Sequence, residues 1–461
     1  MKTKFMTQED KITYLTTEPI PPLICHMAIP TIISMLVTNF YNMADTFFVG
    51  RINTQATAAV GVVFSIMALI QAVGFFFGHG SGNYISKKLG ARKYEDASKM
   101  ASVGFFSAFF VGILICVVGL IFLTPISMML GSTPTILPYT EDYLSIILIG
   151  TPFILSSFVL NNQLRYQGSA SYAMAGIVTG AVINIALDPI LIYGFNMGIS
   201  GAAVATTLSQ IVSFILLLFG CQKGNNIRIS FKDFKPSFYY YKEIFKGGLP
   251  SLCRQGLASV SQIALNFSAG IYGGLMADSA IAGMSVVSRV TMFANSTLIG
   301  FGQGFQPVCG MNYGAKKYHR VREAFWFCVK YAFIFLIFVS IFGVVFSTPI
   351  ITIFRKDDID VINIGSFALK MQSSVFFLNA WIVMSNMMLQ SLGKSAKASI
   401  VAASRQGLFF LPLIFILPKL FGLTGVQICQ PIADIFTVIV AIPLTLGVLR
   451  ELKALDNNEK I

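Results

Sequence analysis

The chain is a succession of long apolar runs, each close to the ~20 residues that a helix needs to cross a bilayer. They read as spans at about 23–49, 55–80, 98–124, 139–163, 172–194, 199–220, 244–272, 279–305, 322–348, 362–389, 397–417 and 425–449. Twelve such runs use most of the 461 residues and leave no room for a large extramembrane domain. Charged residues make up 11% of the chain, against about 25% in soluble proteins, so a soluble enzyme is excluded. The fold class expected is an all-α polytopic membrane protein, with twelve transmembrane helices in two pseudo-symmetric six-helix bundles. The polar stretch 1–22 ends in Pro19, Pro21 and Pro22, and the run after it is too long for the apolar core of a cleavable signal.

The basic residues set the orientation. The net charge is +13, and most Lys and Arg fall in the loops after even-numbered spans, at adjoining span ends or in the two tails. These include Lys87, Lys88, Arg92, Lys93, Arg165, Lys223, Lys316, Lys317, Arg320, Lys394 and Arg405, with Lys2, Lys4, Lys11 and Lys460 in the tails. The opposite loops hold Arg51, Arg355, Lys356 and Lys419. By the positive-inside rule both termini face the cytoplasm, in a multi-pass protein of the inner (cell) membrane. The basic excess is thus a topology signal, and no nucleic-acid partner is expected.

The two halves repeat. Gly90-Ala91-Arg92-Lys93-Tyr94 corresponds to Gly314-Ala315-Lys316-Lys317-Tyr318, Gly198 to Gly422, Gly168 to Gly393 and Pro30 to Pro250. An even number of spans separates each pair, so the repeats run parallel, about an axis along the membrane normal. The organisation expected is a cytoplasmic tail 1–22, an N-lobe 23–220, a cytoplasmic linker 221–243, a C-lobe 244–449 and a tail 450–461. Two facing bundles around a central cleft suit a transporter of small molecules.

Ionisable groups at membrane depth are expensive and need reasons. Of the acidic residues, only Asp45, Asp188 and Asp434 lie well inside spans. Asp45 and Asp188 fall at one depth in the outer half of the N-lobe, with Thr206. Asn184 shares a helix face with Asp188. Pro189 frees the carbonyl of Ile185 beside them. Such a cluster of hard oxygens suits a proton or Na⁺ and not a soft metal. Two carboxylates there do not both stay ionised and unshared: one holds a proton or a cation lies between them. The alternative is interhelical hydrogen bonding alone.

Asp434 is either a functional acid that lines the cleft or meets substrate, or a packing contact to Gln427, Gln430 or Lys419. Arg254 and Gln255 either line the cleft or, for Arg254, snorkel to the interface. Pro30 is a hinge or a static kink in the helix that carries Asp45. His26 and His79 read as packing histidines. Met371, Met384, Met387 and Met388, with Phe376 and Phe377, form either a pliable ligand surface or a lipid face. No P-loop, HExxH or nucleophile elbow occurs, and the seven cysteines form no CxxC pair. No catalytic residue and no cofactor is expected, which leaves an ion gradient as the energy source.

Three segments carry a family resemblance: FYNMADTFFVGR over 40–51, LGARKY over 89–94, and Gln306-Pro307 followed by NYGAKK over 312–317. With them the chain resembles the multidrug and toxic compound extrusion (MATE) family, and its DinF-like prokaryotic branch, over about 20–450. The resemblance implies a monomeric antiporter that exports bulky, often cationic compounds against H⁺ or Na⁺. It also implies a coupling site of Asp45, Asn184, Asp188 and Thr206, with the Ala202 carbonyl and Tyr143 as further members. Asn161 is a weak candidate, because 18 helical residues, roughly 27 Å, separate it from Tyr143. Pro30 resembles the proline at which the first helix bends in that branch. Another branch places acidic coupling residues in spans seven and ten, where this chain has none. Two rivals remain: a flippase for lipid-linked saccharide or peptidoglycan precursors, and a non-transporting membrane receptor or scaffold.

Overall fold

The computed structural model describes residues 7–354 and 358–458. Lys2, Lys4, Arg355, Lys356 and Lys460, used above for orientation, lie outside the described residues. Among the described residues there are helices and turns and no strand. The helices in chain order are α1 Gln8–Thr17, α2 Ile20–Val49, α3 Thr54–Gly90, α4 Tyr94–Ile121, α5 Leu123–Met129, α6 Leu137–Tyr166, α7 Ala170–Pro189 and α8 Gly198–Gln222. They continue with α9 Phe238–Gly273, α10 Ala277–Gly314, α11 Tyr318–Val345, α12 Ser347–Phe354, α13 Ile359–Ser374, α14 Asn379–Ser391, α15 Ser395–Ala403, α16 Phe410–Phe421 and α17 Leu423–Asn458.

Twelve spans account for this order. Eight are single helices: α2, α3, α4, α6, α8, α11, α17 and α7 with its extension to Gly194. The apolar stretch 238–314 is a hairpin of α9 and α10. It turns at Gly274, whose φ of +55° a side chain would resist. The tenth span breaks by 44° between α13 and α14. The eleventh joins α15 to α16 through a π-helical turn, Ser404–Leu408.

The repeat read from sequence is present in the backbone. Arg92 and Lys316 both take positive φ, 57° and 62°, as do Gly168 and Gly393, at 84° and 76°. The Asn161 side chain donates to the Ala173 carbonyl at 3.0 Å, and Asn386 donates to the Ala398 carbonyl at 2.7 Å.

The two halves meet along one seam, at the end that carries both termini. Here α3 and α10 are buried almost continuously over 74–90 and 298–312. Glycines let the backbones touch: a Cβ on Gly90 would lie 2.1 Å from the Met311 carbonyl oxygen, and one on Gly314 would lie 2.0 Å from that of Lys87. Gly304 meets the Ala28 Cα in the same way, at 2.4 Å. Toward the other end the same helices are partly exposed on several faces, so the halves splay into a cleft that opens away from the termini.

Residues 8–17, read as part of a tail, form a capped helix laid across the seam. Thr7 and Asp10 make its capping box. The buried Lys11 ammonium reaches Ser169 Oγ of the first half at 2.9 Å, and the Gly224 carbonyl at 2.7 Å and Asn226 Oδ1 at 2.8 Å in the linker that follows it. From the second half, Asn312 donates to the Leu15 carbonyl and Lys317 to that of Thr16, both at 2.9 Å. The carbonyls left unpaired at a helix C-terminus are the natural acceptors for such donors.

Candidate functional site

Asp45, Asp188, Asn184, Thr206 and Tyr143 come together between α2, α6, α7 and α8. Asp188 and Tyr143 are fully buried, Asn184 and Thr206 nearly so, and Asp45 is 9% exposed. Asn184 Nδ2 lies 3.5 Å from Asp188 Oδ1 and donates to Thr206 Oγ1 at 3.3 Å. The two carboxylates act electrostatically on each other, and both act on Tyr143. Ala202 is buried one turn before Thr206 on the same face of α8. The α-helical pattern of α7 stops at Pro189, just after Asp188, and continues as a π-helical turn, Ile190–Gly194. Such turns often mark functional sites.

The hydrogen-bond accounting is incomplete here in one direction. Asp45 Oδ1, Asp188 Oδ2, Asn184 Oδ1 and the Tyr143 hydroxyl are buried with no hydrogen-bond partner. Buried polar atoms are nearly always paired, and three of these four are pure acceptors. The set therefore fits a proton or a hard cation. A cavity of about 30 Å³ lies alongside, lined by Thr38, Tyr41, Ser157, Asn184, Ser209 and Gln210 among others. That is room for about two waters.

The sequence reading missed Tyr41, which interacts electrostatically with Asp45. The four-residue spacing on one helix was the signal available. Asn161 is spent on the Ala173 carbonyl, away from the carboxylates. Pro30 lies buried inside an unbroken α2, next to Thr31, which donates to the Gly300 carbonyl at 2.8 Å.

Three expectations need correction. Asp434 does not line the cleft. It is fully buried, and its carboxylate takes Arg405 Nε at 2.9 Å, Gln430 at 2.8 Å and Asn379 at 3.2 Å. Gln427 instead bonds the Ile364 carbonyl. Arg405, counted with the loop charges, sits in the π-turn within the eleventh span as the partner of Asp434. Arg165, also counted as a loop charge, is 1% exposed in the seam, where it bonds Asn162 and His79 of the first half and Gln303 of the second. Arg254 is partly buried and donates to Asn386 Oδ1 at 3.2 Å, and Gln255 beside it is also partly buried. Met384, Met387 and Met388 are buried in the core, and Met371 is partly exposed.

The MatE family model matches residues 30–190 and 250–416, one stretch in each half. The chain belongs to the MatE family. It is 30% identical over 421 residues to a multidrug export protein, MepA, of Staphylococcus haemolyticus, covering 91% of this chain and 92% of the relative. Among solved structures, an outward-facing multidrug resistance MATE transporter of the MOP superfamily superposes with a TM-score of 0.89 at 27% identity. That match covers 96% of this chain and 98% of the other. A MATE protein in complex with MaL6 gives 0.90 at 27% identity, covering 96% and 99%.

Proposed function

We propose that this MatE-family chain is a multidrug efflux antiporter of the cell membrane, with both termini cytoplasmic. It exports bulky, often cationic compounds by alternating access in exchange for H⁺ or Na⁺. The names of its relatives support multidrug export. The observation that carries the coupling site is the group of orphaned acceptor oxygens around Asp45 and Asp188. In this reading Asp45, Asn184, Asp188 and Thr206 are the coupling residues, and the Ala202 carbonyl and Tyr143 are further members.

Each residue then has a task. Asp188 and Asp45 alternate between sharing a proton or Na⁺ and releasing it. Thr206 and Tyr143 turn their hydroxyls to donate to an ionised carboxylate or to accept from the bound ion. Asn184 holds Asp188 in place. Pro30 lets α2, which carries Asp45, bend when the site fills. A seam closed at the cytoplasmic end makes this state outward-open, so the ion enters from outside. The ion shifts the balance between conformations only because it binds one of them better.

The test is ethidium extrusion from energised cells or vesicles at matched expression, wild type beside Asp188→Asn, with a pH gradient or a Na⁺ gradient imposed separately. Wild type should export under one gradient, which names the ion, and the variant should lose the response. Equal gradient-driven export by both proteins would remove Asp188 from coupling.

A further inference from the structure

Arg165 and Arg254 come from opposite halves and act electrostatically on each other. The other titratable groups that face them are His79 and Tyr166, and no carboxylate is among them. This contrasts with Arg405 in the second half, which is paired with Asp434. A single cation at membrane depth is costly, and two without an acid between them cost more.

The two arginines are held differently. Arg165 is immobilised by Gln303, by Asn162 Oδ1 at 2.6 Å and by His79 at 3.2 Å. These partners are all neutral or basic, and its Nε has none. Arg254 sits at the midpoint of α9, one turn past the closed layer. Ser251, just before it, still bonds His79 Nδ1 across the seam at 2.9 Å, and from 252 to 260 the helix is partly exposed throughout. Arg254 therefore stands at the edge of the closed layer, where the cleft begins. Asn386 takes one of its terminal nitrogens at 3.2 Å, and the residue as a whole is partly exposed.

We propose that the cleft floor at Arg254 is a binding site for the carboxylate of an amphipathic compound, oriented by Asn386 and backed by the charge of Arg165. The site assigns a place in the fold for the carboxylate of a zwitterion or organic anion, and it rests on the efflux reading above. A guanidinium presents paired donors that match a carboxylate. A bound carboxylate also relieves the repulsion between Arg165 and Arg254, which is greatest when the seam is closed. Such a substrate therefore favours the closed seam and the outward-open cleft, from which it leaves.

The test compares a carboxylate-bearing rhodamine with its methyl ester, binding to the purified full-length protein in detergent, by fluorescence anisotropy. Wild type should bind the acid about tenfold or more tightly than the ester, the size of a charge-assisted hydrogen-bonded contact. Arg254→Gln should bring the ratio to about one, and Arg165→Gln should lower it severalfold. Arg254→Lys, which keeps the charge and loses the fork, should fall between. Melting curves show which variants fold, and the wild-type ratio stands as a test without them. Equal binding of acid and ester by wild type, no binding of the acid, or an unchanged ratio in folded Arg254→Gln would overturn the proposal. Ethidium export by wild type is scored separately: export with no preference for the acid removes this site alone, and no export removes the efflux reading.

Discussion

At the scale of single residues, the same side chain has opposite uses depending on its neighbours. Asp188 and Asp434 are both fully buried. Asp434 has its charge matched by Arg405, whereas Asp188 has an asparagine amide at 3.5 Å and a second carboxylate near it. Removing one member of a buried ion pair strands the other, at about 3–5 kcal/mol. Asp434→Ala should therefore lower the melting temperature of the purified protein sharply. Replacing both members by methionine should recover most of that loss, and a double variant as unstable as the single one would argue against the pairing. At the other acid, Asp45→Asn should cut gradient-driven ethidium export about tenfold or more while membrane expression stays at the wild-type level. Full export by that variant would leave Asp188 to act without it.

At the scale of elements, α1 ties the halves together through groups that a hydropathy plot scores as an unremarkable polar tail. Burial pushes the Lys11 ammonium down to about 8, below its unfolded value near 10.4. Between those pH values the unfolded chain binds more protons than the folded one, so this group's contribution to stability rises with pH across the window. The melting temperature of wild type relative to Lys11→Met should accordingly increase from pH 7.5 to 9.5. A constant difference would show that the ammonium is not desolvated. The variant itself should lose about 1.5–3 kcal/mol, because it leaves oxygen acceptors at Ser169, Gly224 and Asn226 without their charged donor. The broken tenth span and the π-turn of the eleventh are the other elements whose sequence gave little notice. Asn379 and Arg405, at or within those breaks, both reach Asp434.

At the scale of the whole molecule, the closed seam depends on backbone approach. Gly300 and Gly304 on α10 lie against Ile32 and Ala28 on α2, where a Cβ would come within 2.7 and 2.4 Å of a Cα atom. Gly304→Leu should wedge the halves apart at the terminus-bearing end. Ethidium export should fall, and a cysteine placed at Gln303 should become reactive toward a thiol reagent applied from that side. An unreactive Gln303→Cys in that background would mean that the seam accommodates the wedge.

The sequence by itself determined the twelve spans, the parallel repeat and the shared depth of Asp45 and Asp188. These follow from properties that act along the chain: apolar length against bilayer thickness, the spacing of glycine-bearing turns, and the high cost of an acid in a span. It also placed Asn184 and Thr206 with those acids, because helical spacing and span direction fix depth. What the tertiary structure alone decided is which charges meet. Arg165 and Arg405 look like ordinary basic residues near span ends, and their partners lie 138 and 29 positions away. Likewise α1 became a strap only because the C-terminal end of α10 in one half and the linker that follows the other converge on it. Depth is a property of one helix and is written in its residues. Pairing is a property of how helices face each other, and only packing sets it.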